Sequence, residues 1–184
     1  MTTLIAGVAL WWAAHLFKRL APAARAKLGE PGKGIFAVLI VISVVLMVLG
    51  YRAADGPVYW GRDPMWVGIN NLLMLLAFYF YAASGAKGAK IWLGTKVRHP
   101  QLTGFSIWAV AHLLVNGDLP SFVLFGGLLS WAIVEVLLIN IQDGPWERPP
   151  RAPFKKEVVA IVITLVIYAV VMGIHYALGV TPWG

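Results

Sequence analysis

GIFAVLIVISVVLMVLGY (34–51) contains no charged residue. An α-helix rises about 1.5 Å per residue, so a run of this length covers most of the ~30 Å hydrocarbon core of a bilayer. Apart from Ser43 and Tyr51 it offers no polar side chain, so a helix built from it has no face for water. The run reads as a transmembrane helix.

Comparable stretches flank it. Charge is absent from Leu4–Phe17, Pro64–Ala86, Pro100–Gly117 and Val158–Gly184, and Leu119–Gln142 carries only Glu135. The first and fourth segments in chain order, Leu4–Phe17 and Pro100–Gly117, are at the short end of what a bilayer requires. The 184-residue chain is 60% apolar and 12% charged, with a mean hydropathy of +0.77, too little polar surface to cover a soluble globule. The expected fold class is therefore an all-α integral membrane protein, with six transmembrane helices in one bundle and a single domain over residues 1–184. The first segment lacks the basic leader and small-residue cleavage site of a signal peptide, so it is expected to remain as a helix.

The net charge of +7 is distributed in blocks. Lys18, Arg19, Arg25, Lys27 and Lys33 follow the first helix. Lys87, Lys90, Lys96 and Arg98 follow the third, and Arg148, Arg151, Lys155 and Lys156 follow the fifth. Only Arg52 and Arg62 remain for the opposite side. The positive-inside rule then places both termini on the outer, periplasmic face of a bacterial inner membrane. The basic excess is topological, with contact to anionic lipid, and nucleic acid is excluded as a partner. With no cysteine, disulfides, thiolate haem ligation and thiol catalysis are excluded as well.

Two loops on the basic side have sequence character of their own. Ala21–Gly34 reads as a short interfacial helix ended by glycine, and GPWERPPRAP (144–153) as an extended, stiff connection. The fourth helix should begin at Pro100 and end at Asn116-Gly117, with Pro120 near the start of the fifth, which makes the two a tight hairpin. Gly68, Ala77, Ala82, Ala83, Gly104, Ala109, Ala111, Gly126, Gly127 and Gly173 permit close helix contacts. Most of the nine tryptophans, Trp11, Trp60, Trp66, Trp92, Trp146 and Trp183 among them, fall near helix ends and read as interfacial anchors.

Ionisable groups at bilayer depth are costly, so each needs a partner or a task. Counting inward, His15 and Glu135 lie roughly 7 and 10 Å from the inner edge, and Arg98 and His99 stand at the inner mouth of the fourth helix. These four form a possible inner cluster, in which Glu135 pairs with Arg98, His99 or His15. In the outer half, His112, Asn70, Asn71 and His175 share a depth, and Asn116 is one turn past His112 on the same face, positioned to orient its imidazole. Two imidazoles at one depth suit axial ligation of a haem. They suit equally a pair of structural histidines bonded to asparagine, or a proton path. No hydrolase elbow, HExxH, Walker loop or CxxCH is present, and the Gly-Ala-Lys-Gly run at 85–88 is too short to cradle a phosphate.

The phrases AAHLFKRLAPAARAKLG, KVRHPQLTGFSIWAVAHLLVNGD, NIQD and HYALGVTP, in that order, resemble the NnrU family along essentially the whole chain. These are integral membrane proteins found beside nitrite and nitric oxide reduction genes, with 15-cis-zeta-carotene isomerase among their relatives. The resemblance implies haem b held by histidine and chemistry on a lipophilic polyene or quinone, or on a small nitrogen oxide. It makes His112 the best-matched ligand and His15 its partner. His175 fits the depth better, so both partners stay open. Asn70, Asn71, Asn116, Arg98 and His99 complete the expected cofactor surroundings, and no catalytic residue is assigned. The alternative is a non-enzymatic membrane factor supporting a nitrite or nitric oxide reductase. RHPQLTG also looks like the RHPxYxG motif of membrane methyltransferases, but Leu102 replaces the tyrosine and only Asp143 and Glu147 stand near the place of their paired glutamates.

Overall fold

A computed structural model describes residues 1–85 and 88–183. Lys87 of the second basic block, with Ala86 and Gly184, lies outside the described residues, and so does the centre of the 85–88 run. The helices are α1 (Thr2–Leu20), the short α2 (Pro22–Lys27), α3 (Pro31–Arg52), α4 (Pro64–Ser84), α5 (Pro100–Val115), α6 (Leu119–Asp143) and α7 (Phe154–Ala177). Proline opens α2, α3, α4 and α5, where its missing N–H would have had no helical partner. A two-stranded antiparallel ribbon pairs β1 (Val58–Trp60) with β2 (Gly117–Asp118), and a 3-10 turn covers Trp92–Thr95.

The helix ends follow from side-chain chemistry. The backbone N–H and the side-chain amide of Asn116 both donate to the His112 carbonyl, at 3.0 and 2.8 Å, which closes α5. Asp118 caps α6: one oxygen accepts the Ser121 N–H and the other its hydroxyl, each at 2.8 Å. Immediately after, Phe122–Gly126 widens into a π-helical turn. The expected tight hairpin between Pro100 and Pro120 is thus present. So is the expected helix in the first basic loop, with Gly29 turning the chain at φ 55° after α2. The proline-rich loop runs extended beside Lys90, whose N–H donates to Pro150 O at 2.9 Å while its carbonyl accepts from Ala152 at 2.7 Å.

The helices touch in series: α3 on α1, α1 on α6, α6 on α5, α5 on α4 and α4 on α7. Glycine decides the first contact. A Cβ on Gly7 would stand 2.7 Å from the Met47 backbone nitrogen, and one on Gly50 would strike the Leu4 backbone. Gly104 similarly lets α5 reach the Ala77 carbonyl of α4, and Ala77, Ala83, Ala109 and Ala111 are all buried. Gly68, Gly126 and Gly173, expected at contacts, face open space instead. A small residue permits approach without causing it; the neighbour has to be there.

Val38, Val41, Ile42 and Val45 of α3 and Val162, Leu165, Val166 and Val170 of α7 are exposed. Water would not tolerate such contiguous apolar surface. Four helices, α3, α4, α6 and α7, are long and apolar enough to cross a membrane. The shorter apolar α5 has 16 residues, and the 19-residue α1 ends in Lys18 and Arg19. The chain is built as a membrane protein.

Candidate ligand cavity between two histidines

His112 projects from α5 and His175 from α7, and both line one cavity of about 240 Å3. Met74, Ala77, Phe78 and Tyr81 of α4, Phe105 and Trp108 of α5, and Val171 of α7 supply the rest of its wall. Each imidazole is fixed in the same way. The Nδ1 of His112 lies 2.9 Å from the Trp108 carbonyl, and that of His175 lies 2.8 Å from the Val171 carbonyl. A carbonyl only accepts, so Nδ1 carries a proton, and the lone pair of the neutral imidazole is then on Nε2. Neither Nε2 makes a hydrogen bond among the described residues. Phe125, inside the π-helical turn, stacks on the His112 ring at 4.8 Å, and Trp108 lies 5.2 Å away. The arrangement offers two oriented imidazoles beside a mostly apolar cavity.

His15 uses the same device, with Nδ1 2.9 Å from the Trp11 carbonyl, but it does not line this cavity. Its ring rests on Trp11 at 4.0 Å and against Trp131 at 4.7 Å. Trp11 therefore belongs to an interior aromatic cluster with Phe105 and Trp131, and the interfacial role expected for it is not the one it has. The indole N–H groups of Trp11 and Trp131 are buried with no acceptor among the described residues.

The asparagines are placed differently from expectation. Asn116 binds the backbone carbonyl of His112, four residues earlier, and the ring is bonded to Trp108 instead. Asn70 donates to Asn71 at 3.1 Å, and Asn71 donates to the Pro182 carbonyl at 2.9 Å. They serve the C-terminal segment rather than the cavity. Arg62 holds the same segment through the Thr181 carbonyl at 2.6 Å.

At the opposite end of the bundle the polar residues pair in a new order. Glu135 is buried, as required, but its cation is Arg19 at 3.9 Å rather than Arg98, His99 or His15. Arg19 also meets Asp143 at 2.8 Å. Arg98 donates to the Gly144 carbonyl at 2.6 Å, and His99 Nε2 lies 2.9 Å from Asn140 Oδ1, so both fasten α5 to the end of α6. The sequence signal for Arg19 was its place in a basic block, and the contact of α1 with α6 that brings it to Glu135 had no such signal.

Among the described residues no group of three or more His, Asp or Glu side chains is placed to hold a metal ion. No curated protein and no solved structure matches the chain. The family described as NnrU protein matches residues 3–182. The chain belongs to the NnrU protein family.

Proposed function

We propose that this protein binds haem b between His112 and His175, in a bacterial inner membrane that it crosses six times with both termini outside. α1 and α5 complete the crossing set begun by the four longer helices. The observation that carries the reading is the shared cavity with two imidazoles, each locked through Nδ1 and presenting Nε2. Two imidazoles on one cavity are a donor set that would suit haem, with His112 and His175 as the residues that would hold it. His15 fits poorly as the partner, since its ring is packed between Trp11 and Trp131 outside the cavity.

Size sets a condition. About 240 Å3 is below the roughly 300–1,000 Å3 of small-molecule pockets, so a macrocycle requires the walls to part. α7, which carries His175, is the least buried of the four spans.

If bound there, haem would be held by His112 and His175 and would supply redox-active iron. The chain's own part is clear from its residues. The Trp108 and Val171 carbonyls set both tautomers, and the packed rings of Phe125 and Trp108 hold His112 in place. Met74, Phe78, Phe105, Trp108 and Val171 exclude water and disfavour charge. That lining suits a neutral partner, whether a lipophilic polyene or quinone or nitric oxide, over nitrite. An absorption spectrum of protein purified in detergent after expression with ample haem tests the reading. A Soret band with reduced-state α and β bands is expected. Colourless protein would return the family role to that of an assembly factor with structural histidines.

A further inference from the structure

At the end of the bundle away from the histidine cavity, α1, α2, the start of α3 and the end of α6 enclose a cleft of about 720 Å3. Lys18, Arg19, Arg25 and Lys33 line it, and cations outnumber the carboxylates Glu30 and Asp143. Their commitments differ. Arg19 is held by Asp143 and Glu135. Lys33 is paired with Glu30 at 2.9 Å on an exposed i, i+3 contact that contributes little. Lys18 makes no hydrogen bond or ion pair among the described residues. Arg25 has no carboxylate within reach; it donates to the Gly29 carbonyl at 3.3 Å and lies 5.3 Å over the Phe36 ring. Its guanidinium is laid across Gly32, where any Cβ would come within 2.6 Å of it. Two cations therefore face one cleft without an ion-pair partner among the described residues, one of them pre-positioned.

The surroundings say what kind of anion belongs there. Leu20, Leu28 and Ile35, exposed by 65%, 39% and 47%, stand one or two positions along the chain from its lining residues Arg19, Gly29 and Lys33. Ile35 opens the exposed apolar row Val38, Val41, Ile42 and Val45 of α3, a helix long and apolar enough to cross a membrane. A soluble anion would leave that apolar rim in water. An anionic phospholipid covers it with its acyl chains while its phosphate meets Lys18 and Arg25, the arrangement by which basic pockets beside membrane helices hold acidic head groups.

We propose that this cleft is a specific binding site for one anionic phospholipid, with Lys18 and Arg25 as the phosphate contacts and Arg19 as their structural support. It stands independently of the haem reading. The test is native mass spectrometry of the delipidated full-length protein in detergent with added phosphatidylglycerol or phosphatidylcholine. The wild type should retain one phosphatidylglycerol in preference to phosphatidylcholine. Lys18→Gln with Arg25→Gln should weaken retention about tenfold. Lys155→Gln with Lys156→Gln, on the exposed start of α7, should leave it unchanged. Lys18→Arg with Arg25→Lys keeps both charges and should keep the lipid, which guards against a folding defect in the neutral pair. Equal retention of both lipids, or equal loss in the two neutralised variants, would overturn the proposal. Displacement of phosphatidylglycerol by millimolar inorganic phosphate would overturn it too, by showing a site for free anions.

Discussion

Three imidazoles, those of His15, His112 and His175, each give Nδ1 to the carbonyl one turn earlier on their own helix. The device is local, so the histidines were legible as candidates from sequence, and depth alone favoured the pairing of His112 with His175. What weighs against His15 in the proposed pairing is its packing between two tryptophans, and no spacing rule announces that. Glu135 gives the complementary lesson. Its burial and its need for a cation followed from a single carboxylate in an apolar helix, whereas the cation's identity depended on which helices touch. The pair also makes an asymmetric prediction. Arg19→Ala strips Glu135 of its partner and should destabilise the protein by about 2 kcal/mol or more. Glu135→Gln leaves Arg19 with Asp143 and should cost clearly less, with no change in any cofactor spectrum. Thermal unfolding of the two variants in detergent checks the order; a larger loss in Glu135→Gln would contradict it.

At the scale of elements, turn chemistry was the most readable part of the chain. Pro100, Asn116-Gly117 and Pro120 bounded the α5–α6 hairpin because proline and a helix-end amide act through their own backbone. Helix contacts were less readable, since Gly7 and Gly50 make the α1–α3 crossing while Gly126 and Gly173 look outward. Gly50→Ala should therefore cost about 1–3 kcal/mol, and Gly126→Ala should be close to neutral. Melting temperatures of the two variants are the check, and equal effects would refute the contact assignment. The peripheral α7 is tied at both ends. Glu157 receives the Tyr79 hydroxyl and the Trp92 N–H near its start, while Arg62 and Asn71 hold Thr181 and Pro182 beyond its finish. His175 sits just inside the second tie. If haem is held as proposed, Asn71→Ala, which touches neither imidazole, should loosen the hold of His175 and raise the high-spin fraction while His112 keeps the cofactor. An unchanged spin state would show that the C-terminal segment does not position His175.

For the whole molecule, membrane character was carried by composition and charge, and the four long apolar helices bear it out. The number of crossings is a statement about α1 and α5, whose lengths and flanking charges are at the margin, and orientation is a statement about the basic loops. Reporter fusions at Gly29, Gly94 and Arg151 should all read as cytoplasmic; periplasmic activity at any of them would refute six crossings with external termini. The central claim concerns one pair of histidines, and visible spectroscopy of purified single variants tests it most directly. The pairing predicts that His112→Ala loses most of the Soret absorption, that His175→Ala shifts the remaining haem to high spin, and that His15→Ala matches the wild type. A low-spin spectrum preserved in His175→Ala but lost in His15→Ala would contradict it.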